Sequence, residues 1–199
     1  MAKKNSKSTK KLTGIGAFLT LVLSLAALCL GLFLTNVNQT TWAANNAVGT
    51  SGIMGAILGF GFSKTVPSGG DVPEWATFPG VKPSTVDGNM VYTAPSHTGV
   101  MILFILMAAA LILTILALLF KKGKFGALLL VLAGLCLIAS GIMAFFPMQM
   151  CGFEDKITNV LNLKSGVEYS LGIGSILGGC FGCVGGVLGT GVGAVALLK

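Results

Sequence analysis

The sequence predicts an all-α integral membrane protein: a four-transmembrane-helix bundle with a small extracytoplasmic loop domain. Composition is the first reason. Of 199 residues, 54% are apolar and only 10% charged, for a mean hydropathy of +0.89, where a soluble domain carries about 25% charged residues. The length of the apolar runs is the second. Residues 12–34, 99–120, 125–146 and 171–198 contain no Lys, Asp, Glu or His, and each reaches the roughly 20 residues that a helix needs to cross a bilayer. Third, the charges between these runs sort by sign, as they do in a chain threaded through a membrane.

Residues 1–11 form a basic N-terminus, expected to be cytoplasmic, with Lys3, Lys4, Lys7, Lys10 and Lys11 and no acid. The run 12–34 looks at first like a secretory signal. A signal's apolar region covers only about 7–15 residues, so this longer run is read as an uncleaved first span. Asn38-Gln39-Thr40 fits a glycosylation sequon but lies so close to the span that it is expected to be a polar helix end.

Residues 35–98 make up the extracytoplasmic loop domain, with five of the six prolines, both tryptophans and no cysteine. A segment of this size without a disulfide is marginal as an independent domain, so it is expected to pack on the outer helix ends or on a partner. Within it, the Gly- and Ala-rich stretch 45–62 is too short and broken for a span. It reads either as a strand or short helix of the outer domain or as an interfacial segment. Pro67 to Pro83 is expected to be irregular, with a turn at Ser68-Gly69-Gly70-Asp71, and Asn89 to Ala94 is a candidate strand leading into the second span.

The second span, 99–120, and the third, 125–146, are joined by the hairpin 121–124, Lys121-Lys122-Gly123-Lys124. Residues 147–170 form a smaller outer loop, in which Asn159 to Leu163 reads as a short surface helix, and 171–198 is the fourth span. The N-terminus, the hairpin and Lys199 bring nine lysines and no acid to one side, while the two longer loops hold four lysines and all six acids. Lysine excess marks the cytoplasmic face. Lys3, Lys4, Lys7, Lys10, Lys11, Lys121, Lys122 and Lys124 therefore set the expected topology, with both termini cytoplasmic and 35–98 and 147–170 outside the plasma membrane.

The fourth span carries ten glycines in 28 residues. Gly174, Gly178, Gly182 and Gly186 recur every four residues, continued by Thr190 and Ala194, and Gly185, Gly189 and Gly193 form a second row. Residues four apart share a helix face, so each row is a groove nearly free of side chains. Such small-xxx-small rows let helices approach closely in lipid. They are read as helix-packing residues, within the bundle or toward another subunit, with Ala27 and Gly31 of the first span as an internal partner. The first turns, around Gly172 and Gly174, are expected to fray into the headgroups, because the run would extend about 42 Å against an apolar core of about 30 Å.

Catalytic chemistry is sparsely represented. All 13 basic residues are lysines, so the guanidinium fork that grips phosphate or carboxylate is missing. No phosphate loop, two-histidine zinc motif or acidic calcium loop occurs. No metal or cofactor is expected, and nucleic acid is not an expected partner, because the positive charge sits at a membrane surface. His97, the one histidine, reads as an interfacial anchor. The spans lack the ionisable groups that ion-coupled transporters place there and offer hydroxyls instead, at Thr20, Ser24, Thr114, Ser140, Ser175 and Thr190.

Five cysteines cannot all pair within one chain. Cys29 and Cys136 read as small packing residues, and Cys151 lies outside the spans. Cys180-Phe181-Gly182-Cys183 has the spacing of a redox pair. A four-span protein with such a pair resembles the disulfide-generating quinone reductases of the vitamin K epoxide reductase kind, which implies a membrane thiol–disulfide oxidoreductase working through Cys180 and Cys183. The shuttle pair that those enzymes carry in an outer loop has no counterpart in residues 35–98. The order of spans and loops is also similar to claudin-like tetraspan proteins, in topology alone. The expected function is that of a non-enzymatic, multi-pass structural or accessory subunit. It would associate through the Gly-rich fourth span, as a homo-oligomer or with another membrane protein in the lipid bilayer, and present its outer loop domain. The alternatives are an oligomeric channel or small-solute pore, and the thiol oxidoreductase.

Overall fold

The computed structural model describes residues 2–41, 46–51, 61–67, 69–72, 82–94, 96–120, 124–150 and 167–198. In chain order the elements are α1 (Ala2–Phe33), β1 (Thr35–Thr41), β2 (Asn46–Ser51), β3 (Phe62–Val66), β4 (Lys82–Val86) and β5 (Asn89–Ala94). They continue with α2 (Thr98–Leu119), α3 (Lys124–Met143), the single turn α4 (Pro147–Met150), β6 (Val167–Leu171) and α5 (Ile173–Leu198). The described chain is mostly helical, and four helices are long and apolar enough to cross a membrane: Thr13–Phe33 within α1, then α2, α3 and α5. In lipid each must satisfy its backbone internally, which is why even the glycine-rich run closes into a helix.

The helices form a ring in which α5 lies between α1 and α3, α3 between α2 and α5, and α1 touches α2. Neighbours run antiparallel: Gly179, Gly186 and Gly193 descend along α5 as Gly141, Gly134 and Ala127 ascend along α3. Among the buried residues, one line on each helix advances by alternating steps of three and four. These lines are Thr13, Ala17, Thr20, Ser24, Ala27 and Gly31 on α1, and Val100, Leu103, Met107, Ala110, Thr114 and Ala117 on α2. Leu130, Ala133, Leu137, Ser140 and Ala144 continue the pattern on α3, and Gly178, Gly182, Gly185 and Gly189 on α5. A stripe with this 3.5-residue period faces its partners continuously only if the helices supercoil with left-handed twist.

Several expectations need correction. The protein is not all-α: it contains two three-stranded sheets, ordered β2-β1-β6 and β3-β5-β4, with every pairing antiparallel. α1 is helical from Ala2 onward, so the helix runs through the basic segment ahead of the first span. The Asn38 sequon is not a helix end; it lies in β1, the central strand of its sheet, with Asn38 opposite Gly49 and Ser170. The fourth span begins at Ile173, since Leu171 belongs to β6. Asn89–Ala94 is a strand, as expected, and pairs with β4 across Asp87-Gly88, both at positive φ (50° and 79°). That is the backbone of a two-residue type I′ hairpin. Pro83 sits on the edge strand β4, where its missing N–H costs no ladder bond. Most of 45–62, the helix expected at Asn159 to Leu163, and Cys151 lie outside the described residues.

Candidate functional site

The residues singled out by spacing converge on the seam where α5 is held by α1 and α3. Every buried residue of α5 is Gly or Ser: Gly174, Ser175, Gly178, Gly179, Gly182, Gly185, Gly186, Gly189 and Gly193. The neighbouring helices therefore meet its backbone directly. A methyl group on Gly186 would come within 2.7 Å of the Gly134 carbonyl oxygen and 2.6 Å of Ile138 Cγ1. On Gly182 it would lie 3.0 Å from Gly141 Cα, and on Gly193 2.9 Å from the Ala127 oxygen.

The two rows do not address two different surroundings. Gly174 and Gly178 face α1, at Leu30 and Ala27 with Gly31, whereas Gly182 and Gly186 face α3. In the second row Gly185 meets Leu23 of α1, Gly189 meets both Thr20 and Gly134, and Gly193 meets Val131 of α3. The reason is geometric: four residues overshoot one turn by about 40°, so three steps carry a row about 120° around the helix. Each row winds from the α1 groove into the α3 groove. Both are covered by helices of the same chain. The main partner of α5 was also only half anticipated. Beside Ala27 and Gly31, α3 presents Ala127, Gly134 and Gly141, spaced by seven and all buried, a period visible in the sequence and not used above.

At the end that carries β1 and β6 the seam is locked. Asn36, just beyond α1, donates from Nδ2 to the Gly31 carbonyl (2.8 Å). Its own carbonyl accepts from the Gly172 N–H (2.8 Å) and from Ser175 Oγ (3.1 Å). Gly172 is buried with Thr35 and Asn36 against it, where a side chain would strike the Thr35 carbonyl. The β1–β6 ladder continues the contact outward from Val37 opposite Leu171. The start of α5 is thus paired and capped rather than frayed, which corrects the earlier expectation for Gly172 and Gly174.

The interior hydroxyls bond back to their own helices: Thr20 to the Gly16 carbonyl (2.9 Å), Ser24 to Leu21 (2.9 Å), Thr114 to Ala110 (2.7 Å) and Ser140 to Leu137 (3.1 Å). Thr190 Oγ1 is buried without a hydrogen-bond partner and packs against Gly134. Cys180 is exposed on the outer side of α5, while Cys183 is partly buried against Gly141. Cys29 and Cys136 are partly buried, and these four thiols are free. His97 precedes α2, and partial burial holds its imidazole below the usual pKa of 6.5. Of the topology lysines, Lys3, Lys4, Lys7, Lys10 and Lys11 lie on α1 and Lys124 is exposed at the start of α3; Lys121 and Lys122 lie outside the described residues. Compared with protein-family models and with curated proteins, the chain finds no match to either.

Proposed function

We propose that this chain is a non-enzymatic, multi-pass structural subunit of a plasma membrane. Its termini and the α2–α3 hairpin are cytoplasmic, and both sheets stand outside. The observation that carries this reading is the way the two outer loops are built into the bundle. β1 comes from the first loop and β6 from the second, and Asn36 ties their junction to α1 and α5. The bundle is then a stiff stem for an outer surface, as a scaffold or accessory subunit requires. The lysine distribution supports the orientation.

Because both glycine rows are occupied within the chain, self-association through α5 runs along its outward side. Ile176, Cys180, Val184, Val187 and Gly191 are exposed there. The test is the mass of the protein in nanodiscs, for wild type and for Val187→Phe with Gly191→Phe. The expected result is a multimer that the double variant reduces to a folded monomer. A wild type that stays monomeric at every protein-to-lipid ratio would overturn self-association. Quinone-dependent thiol oxidation that disappears in Cys183→Ser would overturn the non-enzymatic assignment.

A further inference from the structure

We propose that the first three turns of α1 bind anionic phospholipid headgroups through a one-sided arc of lysines. The proposal rests only on α1 crossing a bilayer, not on which side of a cell its N-terminus faces. The helix is continuous from Ala2 to Phe33, so its register can be carried down from the span. At about 100° per residue, Lys3, Lys4, Lys7, Lys10 and Lys11 fall within an arc of about 120°. Ala2, Asn5, Ser6, Ser8 and Thr9 occupy the remaining circumference.

The arc continues the lipid-facing stripe of the span. Lys4, Lys11, Phe18 and Leu25 are seven residues apart, and Phe18 and Leu25 are 58% and 49% exposed. Lys11 is likewise one turn below Ile15, which is 60% exposed. The exposed side of the span therefore continues, along the same helix, into the positions that hold the lysines. The inward line through Thr13, Thr20 and Ala27 extends instead to Ser6.

A second observation points to anions. The first turn of α1 contains no acid and two lysines, Lys3 and Lys4, at the positive end of the helix dipole, with three more lysines in the next two turns, an arrangement that disfavours the helix by itself. Phosphate oxygens on the lysine side offset that repulsion, so helix formation at residues 2–11 and headgroup binding are linked.

The experiment is amide hydrogen exchange on the full chain in nanodiscs of phosphatidylcholine alone and of phosphatidylcholine with phosphatidylglycerol. A lysine near an anionic surface gains about fivefold in binding, so amides of residues 2–11 should exchange on the order of tenfold slower in the anionic discs, with added salt removing the difference. The decisive variant keeps the net charge and moves three lysines off the arc: Lys4→Ser, Lys7→Ser and Lys11→Ser with Asn5→Lys, Ser8→Lys and Thr9→Lys. It should lose most of the slowing, with unchanged α5 exchange reporting an intact bundle. Equal wild-type rates in the two discs would overturn the proposal, and so would full slowing in the relocated variant. If the variant fails to fold, the wild-type comparison and its salt dependence still decide.

Discussion

α2 and α5 both run from the sheet-bearing end of the bundle to the opposite end, yet they are held in opposite ways. The half of α2 nearer the sheets buries large side chains, Val100, Leu103, Phe104 and Met107, against Ala144 with Leu28, Leu32 and Met143. The fully buried residues of α5 are glycines and Ser175, with Thr190 Oγ1 and the partly buried Val192 adding side chains to the seam. Side chains can shift rotamers to absorb a change, whereas backbone in contact with backbone cannot. In a bilayer, where the surrounding lipid is as apolar as leucine, close packing is what holds helices together. α5 is therefore less replaceable than α2.

The sharpest way to break this comparison is to add one methyl group at different points of one glycine row. Gly186→Ala should be the most damaging, costing about 3 kcal/mol or more, because its Cβ meets a carbonyl and Ile138 on a helix that cannot retreat. Gly178→Ala meets nothing nearer than the Ala27 oxygen at 3.3 Å, and should cost less than about 1 kcal/mol. Reversible unfolding in mixed micelles, followed by circular dichroism, measures both. Equal losses would mean that the row acts as a single face and that its partition between α1 and α3 is wrong.

Truncation on α2 comes next. Met107→Ala should cost about 2 kcal/mol by leaving a cavity in a cluster where Met107 is 1% exposed, and Met107→Leu should cost less than about 1.5 kcal/mol, since shape changes near constant volume are tolerated. If Met107→Ala proves more damaging than Gly186→Ala in the same micelles, the ranking of the two helices reverses.

The contrast also explains what could be read beforehand. Hydropathy over a helix length is a local property, so 99–120 and 125–146 fall within a few residues of α2 and α3. The β1–β6 pairing is not local: Val37 meets Leu171, and nothing in either segment's pattern names the other. Which glycine faces which helix depends on accumulated rotation along α5, invisible to a count by fours. Asp87-Gly88 is different, since the dipeptide is itself a hairpin signal and could have placed β4. The α1 extension was not legible, because lysines, serines and an asparagine carry no apolar period that would mark a helix.

A smaller effect is expected where the two outer loops meet the bundle. Asn36→Ala removes the bond to the Gly31 carbonyl and should cost about 1 kcal/mol. The amides of β1 and β6 should exchange faster while those of α2 stay unchanged. Unaltered protection at Gly172 would show that the ladder, not the asparagine, holds the start of α5.

The smallest effect has the opposite sign. Gly191 also lies on α5, but a Cβ there would meet nothing within 4 Å, and the residue is exposed. Replacing it with alanine relieves the conformational entropy that glycine brings to a helix interior, a gain of about 0.5–1 kcal/mol. In monomers, Gly191→Ala should therefore raise the unfolding midpoint slightly, where the same change at Gly186 collapses it. The pair separates glycines required for contact from those merely tolerated. It also examines the outward side of α5 without a bulky probe: if another subunit packs closely there, the added methyl group will weaken the multimer while the isolated chain gains stability. Opposite shifts in the two states would locate the interface at Gly191. Parallel gains would show that this turn of α5 faces lipid alone.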